Sequence, residues 1–132
     1  MEDQSGWRNN LVTDPAEVRE ILAGARRIAV LGIKPESRDW KPAHFVPRYL
    51  QAQGYDVIPV PVYYPDATEI LGSPVYRTVA AVPGPVDLVD VFRKPEDIPP
   101  HVDDLIAKKP AAVWFQAGIR NDAAAERLAR AG

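Results

Sequence analysis

The chain has 132 residues, of which 46% are hydrophobic and 26% charged, with a net charge of −2 and no cysteine. These values suit one globular domain and exclude the strongly basic face that general nucleic-acid binding needs, as well as disulfides, thiol catalysis and cysteine metal sites. The polar amino terminus lacks a signal-peptide pattern, and no apolar run approaches the ~20 residues that span a bilayer. We therefore expect a cytoplasmic protein with neither nucleic acid nor a membrane as a partner.

The first elements have clear sequence signals. Residues 1–12 are predicted to form a flexible arm, and residues 13–132 a single domain. Asp14 can cap the first helix, with Pro15 at the first helical position. The next element, over Arg27–Ile33, is continuously apolar after its first residue, which is typical of a parallel strand buried on both faces.

Strands and helices alternate along the rest of the chain. In order we predict a helix over 42–54, a strand over 55–62, a brief extended piece with one or two helical turns within 73–82, a strand over 86–92, a helix over 94–110 that becomes regular after Pro100, a strand over 111–116 and a helix over 121–132. This alternation indicates βαβ units with right-handed crossovers, and hence a doubly wound parallel sheet in a three-layer α/β/α domain. Such a fold normally continues with another strand, so we expect the last strand to be missing from this chain.

The predicted strand ends carry a glycine, apolar residues and cations. In an open parallel sheet, ligands bind outside the carboxyl ends of the strands. Gly32 allows a phosphate to approach the backbone, and amides near Ala43 lie at a helix N-terminus, where anions bind. The side chains that can neutralise phosphate are Lys34, Arg38, Lys41 and Arg93, and those that can sandwich an adenine are Pro61, Val62 and Phe92.

An ordinary dinucleotide fits this pattern poorly. The GxGxxG fingerprint needs a second glycine where this chain has Lys34. It also needs an acid after the second strand for the ribose hydroxyl, where this chain has Pro61-Val62. A missing acid and several cations favour a ligand with an extra ribose phosphate, and both NADP and coenzyme A (CoA) meet that condition.

Several motifs together resemble one family. The stretches AVLG, KPAHFVPRYL, GYDVIPV, DLVDVFRKPED and AVWFQAGI follow the order and spacing of the small bacterial and archaeal CoA-binding proteins. That family is similar to the CoA-binding domain of the succinyl-CoA synthetase α-subunit, and the resemblance covers residues 14–132. It implies a Rossmann-like domain that binds CoA through its ADP portion.

The resemblance also implies site residues. Those expected to bind the pyrophosphate are Gly32, Ile33, Lys34, Lys41 and Ala43; those flanking the adenine are Pro61 and Val62, and those lining the other side are Phe92, Arg93 and Gln116. Three features depart from the family: Pro-Val replaces a common Asn-Pro after the second strand, the loop before Lys41 is longer, and the usual final strand with DRC is absent.

Other reactive residues receive structural interpretations. His44, although near Ser37 and Asp39, is expected to be structural or to touch a ligand, because members of a catalytic triad normally come from separate elements. We expect two further residues, Trp114 and Phe115, to lie in the core. His101 and the pair Asp103-Asp104 are expected at the surface, and two distant histidines do not form a metal site.

The sequence therefore predicts a protein that binds CoA or an acyl-CoA without catalysing a reaction, as a carrier, sensor or regulatory module. An NADP-binding oxidoreductase, or a subunit of an acyl-CoA ligase that acts with a partner chain, is the alternative. A homodimer and a ligase-like partner both remain compatible with the sequence.

Overall fold

The computed structural model describes residues 15–62, 64–115 and 122–131. The predicted arm over 1–12 and the candidate site residue Gln116 lie outside these ranges. The strands are β1 (Arg27–Leu31), β2 (Asp56–Val60), β3 (Glu69–Ile70), β4 (Ser73–Pro74), β5 (Leu88–Val91) and β6 (Ala112–Phe115). The α-helices are α1 (Pro15–Gly24), α2 (Pro42–Ala52), α3 (Val102–Lys108) and α4 (Asp122–Ala131).

Four strands form a parallel sheet in the order β2-β1-β5-β6. The chain places β2 on one side of β1 and then crosses to place β5 on the other side. The strand order therefore reverses between β1 and β5, which is where a doubly wound sheet forms its ligand crevice. The predicted fold class is confirmed.

The sheet is buried on both faces because its strands are apolar at successive positions. In β1, Ala29 and Leu31 pack with residues of α3, whereas Ile28 and Val30 pack with the opposite cluster, which includes Leu50 of α2. The observed strands are shorter at their ends than predicted. This difference arises because the predicted ends continue into turns that are equally apolar.

Within 73–82 the predicted extended piece is confirmed, whereas the predicted helical turns are wrong. Ser73–Pro74 pairs antiparallel with Glu69–Ile70, and the connecting Leu71 and Gly72 both have positive φ, 54° and 78°. Two positive φ values are typical of a type I′ hairpin turn, although Leu is an unusual residue for it. The residues after this hairpin form no helix before β5, because the amides of Val79 and Ala80 donate to the Asp104 carboxylate.

Asp104 and Lys108 hold the segment that follows this hairpin. The Asp104 carboxylate accepts hydrogen bonds from the amides of Val79 and Ala80, both at 2.8 Å. One turn later on α3, the Lys108 ammonium donates to the carbonyls of Val82 and Gly84. The prediction that Asp104 is merely solvated is therefore wrong, since its partners are 24 or more residues away in sequence.

Two further predictions concern the second half of the chain. The irregular start of the third helix is confirmed: 3₁₀ turns over Pro95–Asp97 and Pro99–His101 precede α3. Trp114 is 36% exposed, so its predicted core position is wrong, whereas Phe115 packs against the core cluster. Among the described strands, β6 pairs with β5 alone, and this edge position leaves the indole more accessible. No helix in the described ranges is long and apolar enough to cross a membrane.

Candidate functional site

Gly32 joins the tips of β1, β2 and β5. Its amide donates to the carbonyl of Val60 at 2.9 Å, and the amide of Phe92 donates to the carbonyl of Leu31 at 2.8 Å. Gly32 has φ +89°, and a Cβ there would lie 2.3 Å from the Phe92 carbonyl oxygen. Glycine is therefore required by the close approach of two strand tips, in a conformation that other residues rarely adopt.

The backbone of Lys34 is fixed on both sides by α2. Its amide donates to the carbonyl of Ala43 at 3.1 Å, and its carbonyl lies 2.8 Å from Nδ1 of His44. A carbonyl can only accept, so the Nδ1 of His44 carries the hydrogen. His44 is 1% exposed, which confirms its structural interpretation.

Two backbone amides of buried residues at this end of the sheet have no acceptor among the described residues. They belong to Ile33, which is 1% exposed, and Ala43, which is 6% exposed. The amides on either side of Ile33 are engaged, and those of His44 and Phe45 donate to the Lys41 carbonyl at 2.9 and 3.0 Å. Buried amides are nearly always paired, so these two amides are available to an acceptor outside the described residues.

Lys34 also carries a cation at the edge of this region. Its ammonium lies 5.7 Å from the centre of the Tyr64 ring, a distance at which a cation is attracted to an aromatic face. Arg77 fixes the turn that presents this ring, because its guanidinium donates to the carbonyls of Tyr64, Pro65 and Ala67 at 3.3, 3.1 and 2.6 Å. The contact of Arg77 with this turn could not be predicted, since no local sequence signal links residues ten or more positions apart.

The loop between β1 and α2 is anchored at its start and exposed at its end. A carboxylate oxygen of Glu36 accepts from the amide of Leu71 at 2.8 Å, and Gln51 donates to the Leu71 carbonyl at 2.8 Å. Trp40 is 61% exposed, with the Arg38 guanidinium 5.6 Å from its ring centre. Lys41, the N-cap residue of α2, is also exposed and makes no side-chain cap.

Arg93 places a second cation next to Gly32. Its Cδ would lie 3.1 Å from a Cβ on Gly32, and its side chain is 13% exposed. The guanidinium lies 3.7 Å from the carboxylate of Asp97. Burial lowers the pKa of His101, and the nearby charge of Arg93 lowers it further, while Asp97 and Asp104 oppose the shift. The predicted surface position of His101 is wrong, because the residue is half-buried.

The apolar candidates divide between the two faces of the sheet. Pro61 is buried, and Val62 packs against the cluster that contains Val60. Phe92 packs against the opposite cluster, with Ile33. The structure therefore brings Gly32, Phe92 and Arg93 together at β1 and β5, and leaves Pro61 and Val62 one strand away at the tip of β2.

The amino-acid sequence of this chain is similar to known protein sequences. The model of a family described as "CoA binding domain" matches residues 26–132. An uncharacterized protein of Bacillus subtilis, YneT, is 33% identical over 117 residues, which cover 89% of this chain and 83% of that protein.

Several solved structures are similar to this chain in both sequence and fold. A Thermus thermophilus protein described as "cell-free ID.343" is 38% identical with a TM-score of 0.81, over 91% of this chain and 87% of that one. A hypothetical protein from Pyrococcus horikoshii OT3 is 34% identical with a TM-score of 0.80, over all of this chain and 87% of that one.

Proposed function

Because the chain belongs to the CoA binding domain family, we propose that it binds coenzyme A or an acyl-CoA through the ADP portion at the carboxyl ends of β1 and β5. The observation that supports this most directly is the pair of buried amides at Ile33 and Ala43 that lack an acceptor among the described residues. An anionic oxygen can accept from such amides, and the positive end of the α2 dipole favours negative charge there.

The neighbouring side chains fit the rest of such a ligand. The pyrophosphate is assigned to the two amides together with Lys34 and Lys41, which supply positive charge. Arg93 supplies positive charge on the β5 side. Pro61 and Val62 at the tip of β2 offer apolar surface for the adenine ring, and Gln116 stays a predicted contact outside the described residues.

We assign the site a binding role without catalysis. The proposed contacts at the tips of β1, β2 and β5 are cations and apolar groups, and the nearby Asp97 carboxylate is paired with the Arg93 guanidinium at 3.7 Å. Asp90 is 2% exposed and lies within β5, and His44 is 1% exposed, with its Nδ1 donating to the Lys34 carbonyl. A carrier, sensor or regulatory module requires binding alone, which such a site can provide.

Calorimetric titration with CoA, 3′-dephospho-CoA and NADP tests the proposal. We expect CoA to bind in the micromolar to millimolar range, and loss of the 3′-phosphate to weaken binding. Failure of CoA to bind the wild-type chain would overturn the proposal. Binding of NADP in place of CoA would instead support an oxidoreductase.

Two variants test the site itself. Lys41→Ala and Arg93→Ala should each weaken CoA binding by about 1–3 kcal/mol, because each removes a charge-assisted contact to phosphate. Lys109→Ala is the matched control, since Lys109 is an exposed lysine that precedes β6 at the opposite end of the sheet. An unchanged affinity in both site variants contradicts the assigned position.

A further inference from the structure

Helix α2 contains an interior proline, which is unfavourable in a helix unless something compensates for it. Pro47 is buried and stands sixth among the eleven residues of Pro42–Ala52. Proline has no N–H, so it cannot donate to the carbonyl four residues earlier, and its ring pushes that carbonyl away from the helix axis. In α2 this carbonyl belongs to Ala43.

The structure shows what replaces the missing bond. The Ala43 carbonyl accepts the amide of Lys34, at 3.1 Å, from the turn that follows β1. The neighbouring His44 forms a second link by donating from Nδ1 to the Lys34 carbonyl at 2.8 Å. The Ala43 carbonyl, which lacks a donor at residue 47, thus accepts a hydrogen bond from the turn that follows Gly32.

This link lies directly beside the two unpaired amides. Ile33 immediately precedes the donating residue, and Ala43 is itself the accepting residue. Fixing Lys34 to Ala43 therefore fixes the separation of the amides of Ile33 and Ala43 across two different elements. Preorganised donors bind an anion more tightly than mobile ones, because less order must be imposed on binding.

We infer that Pro47 is a positioning residue for the proposed CoA site: by withholding an N–H, it reserves the Ala43 carbonyl for the Lys34 amide and so fixes the Ile33 and Ala43 amides. The affinity part of this inference rests on the proposed function. The hydrogen-bond part does not, because it can be observed in the protein without a ligand.

The test begins with NMR detection of the scalar coupling across the hydrogen bond from the Lys34 nitrogen to the Ala43 carbonyl carbon. In Pro47→Ala, the new amide of residue 47 competes for the same carbonyl. We expect the Lys34–Ala43 coupling to fall by at least half, a coupling from residue 47 to Ala43 to appear, and CoA affinity to fall at least fivefold. Pro42→Ala is the matched control for the coupling, because the first amide of a helix has no partner within the helix.

A second variant separates the missing N–H from the packing of the proline ring. Lactate at position 47, introduced as a backbone ester, lacks the ring as alanine does but also lacks the N–H as proline does. We expect the ester to restore the coupling and to bring CoA affinity within twofold of the wild type. An ester that behaves like Pro47→Ala overturns the inference and assigns the effect to ring packing.

The outcomes also separate the two proposals. Unchanged coupling and affinity in Pro47→Ala would overturn the positioning role. If wild-type protein does not bind CoA but the coupling is lost in Pro47→Ala and returns in the ester, the proposed function fails, while the reservation of the Ala43 carbonyl is supported.

Discussion

The backbone amides near the two ends of β1 differ in whether the described residues supply an acceptor for them. At the amino end, one carboxylate oxygen of Asp87 accepts from the amides of both Arg26 and Arg27, each at 2.9 Å. At the carboxyl end, the amides of Ile33 and Ala43 have no acceptor within the described ranges. At the amino end, the protein itself supplies the anionic acceptor, the Asp87 carboxylate. At the carboxyl end, the described residues supply two donors but no acceptor for them.

The electrostatics of the amino end show what such an arrangement does to an anion. Hydrogen bonds from the amides of Arg27 and Arg26 lower the pKa of Asp87, burial opposes this shift, and the positive charges of the two arginines lower the pKa further. The guanidinium of Arg27 also lies 3.6 Å from the Asp56 carboxylate. Two convergent amides next to cations therefore stabilise a negative charge, which is the role we propose for the other end with a ligand phosphate.

The largest loss of stability is expected for a substitution of Gly32, at the carboxyl end of β1. Gly32→Ala places a Cβ 2.3 Å from the Phe92 carbonyl oxygen, at φ +89°. Backbone strain and steric overlap together should lower the free energy of unfolding by about 3–5 kcal/mol. Urea denaturation measures this change.

Gly54 offers a matched control for that variant. It also has positive φ, +100°, but nothing lies within 4 Å of its Cβ position. Gly54→Ala should therefore show only the conformational cost, about 1–2 kcal/mol. Equal losses in the two variants would show that the contact between the strand tips contributes nothing beyond φ.

A smaller effect is expected at the amino end. Asp87→Asn removes the negative charge while keeping one acceptor oxygen, so we expect a loss of about 1–2 kcal/mol at pH 7, with CoA affinity unchanged. The folded pKa of Asp87 lies below its ordinary value of about 4. The stabilisation is therefore present above about pH 4 and is lost as the pH falls through the folded pKa.

Chemical denaturation of both proteins between pH 7 and pH 3 measures this dependence. The difference in stability between wild type and Asp87→Asn should narrow as the pH falls. Asp103→Asn serves as the control, because the Asp103 carboxylate is exposed and pairs only with the exposed Arg127 in the described part of the chain. A difference that stays constant with pH would exclude the charge of Asp87 as the cause.

Much of the fold could be predicted because its signals are local. The continuous apolar stretch after Arg27 indicated a doubly buried strand, and Gly32 and the start of α2 at Pro42 marked the turn and the helix. The alternation of strands and helices then fixed the parallel topology. A site at the carboxyl ends of the strands could be proposed from the sequence because that rule depends on topology alone.

The details of the site could not be predicted because they depend on pairs far apart in sequence. The effect of Pro47 could not be predicted, since nothing local shows that the Lys34 amide donates to the carbonyl of Ala43. Asp104 looked solvated for the same reason, as its two amide partners lie in a separate loop. Trp114 looked buried because an apolar strand does not reveal whether it lies at a sheet edge.

The smallest predicted effect is a dependence of CoA affinity on pH, which arises from the protonation of His101. Burial lowers the pKa of His101, and the charge of Arg93 lowers it further. A phosphate bound at Arg93 would offset that positive charge, so NMR titration should show a higher His101 pKa with CoA than without. By linkage, CoA affinity should then rise by up to about threefold as the pH falls below the ordinary histidine pKa of about 6.5, because the pKa of His101 in the folded protein is lowered.

The secondary phosphate of CoA also titrates near pH 6, so the contribution of His101 must be separated from it. His101→Gln keeps a polar side chain but cannot gain a proton, and it should show a weaker rise in affinity than the wild type. Arg93→Ala should raise the His101 pKa in the protein without ligand and abolish the further rise with CoA. An unchanged His101 pKa on binding would place the phosphates away from Arg93, and would restrict the anion site to the amides of Ile33 and Ala43 and the lysines near them.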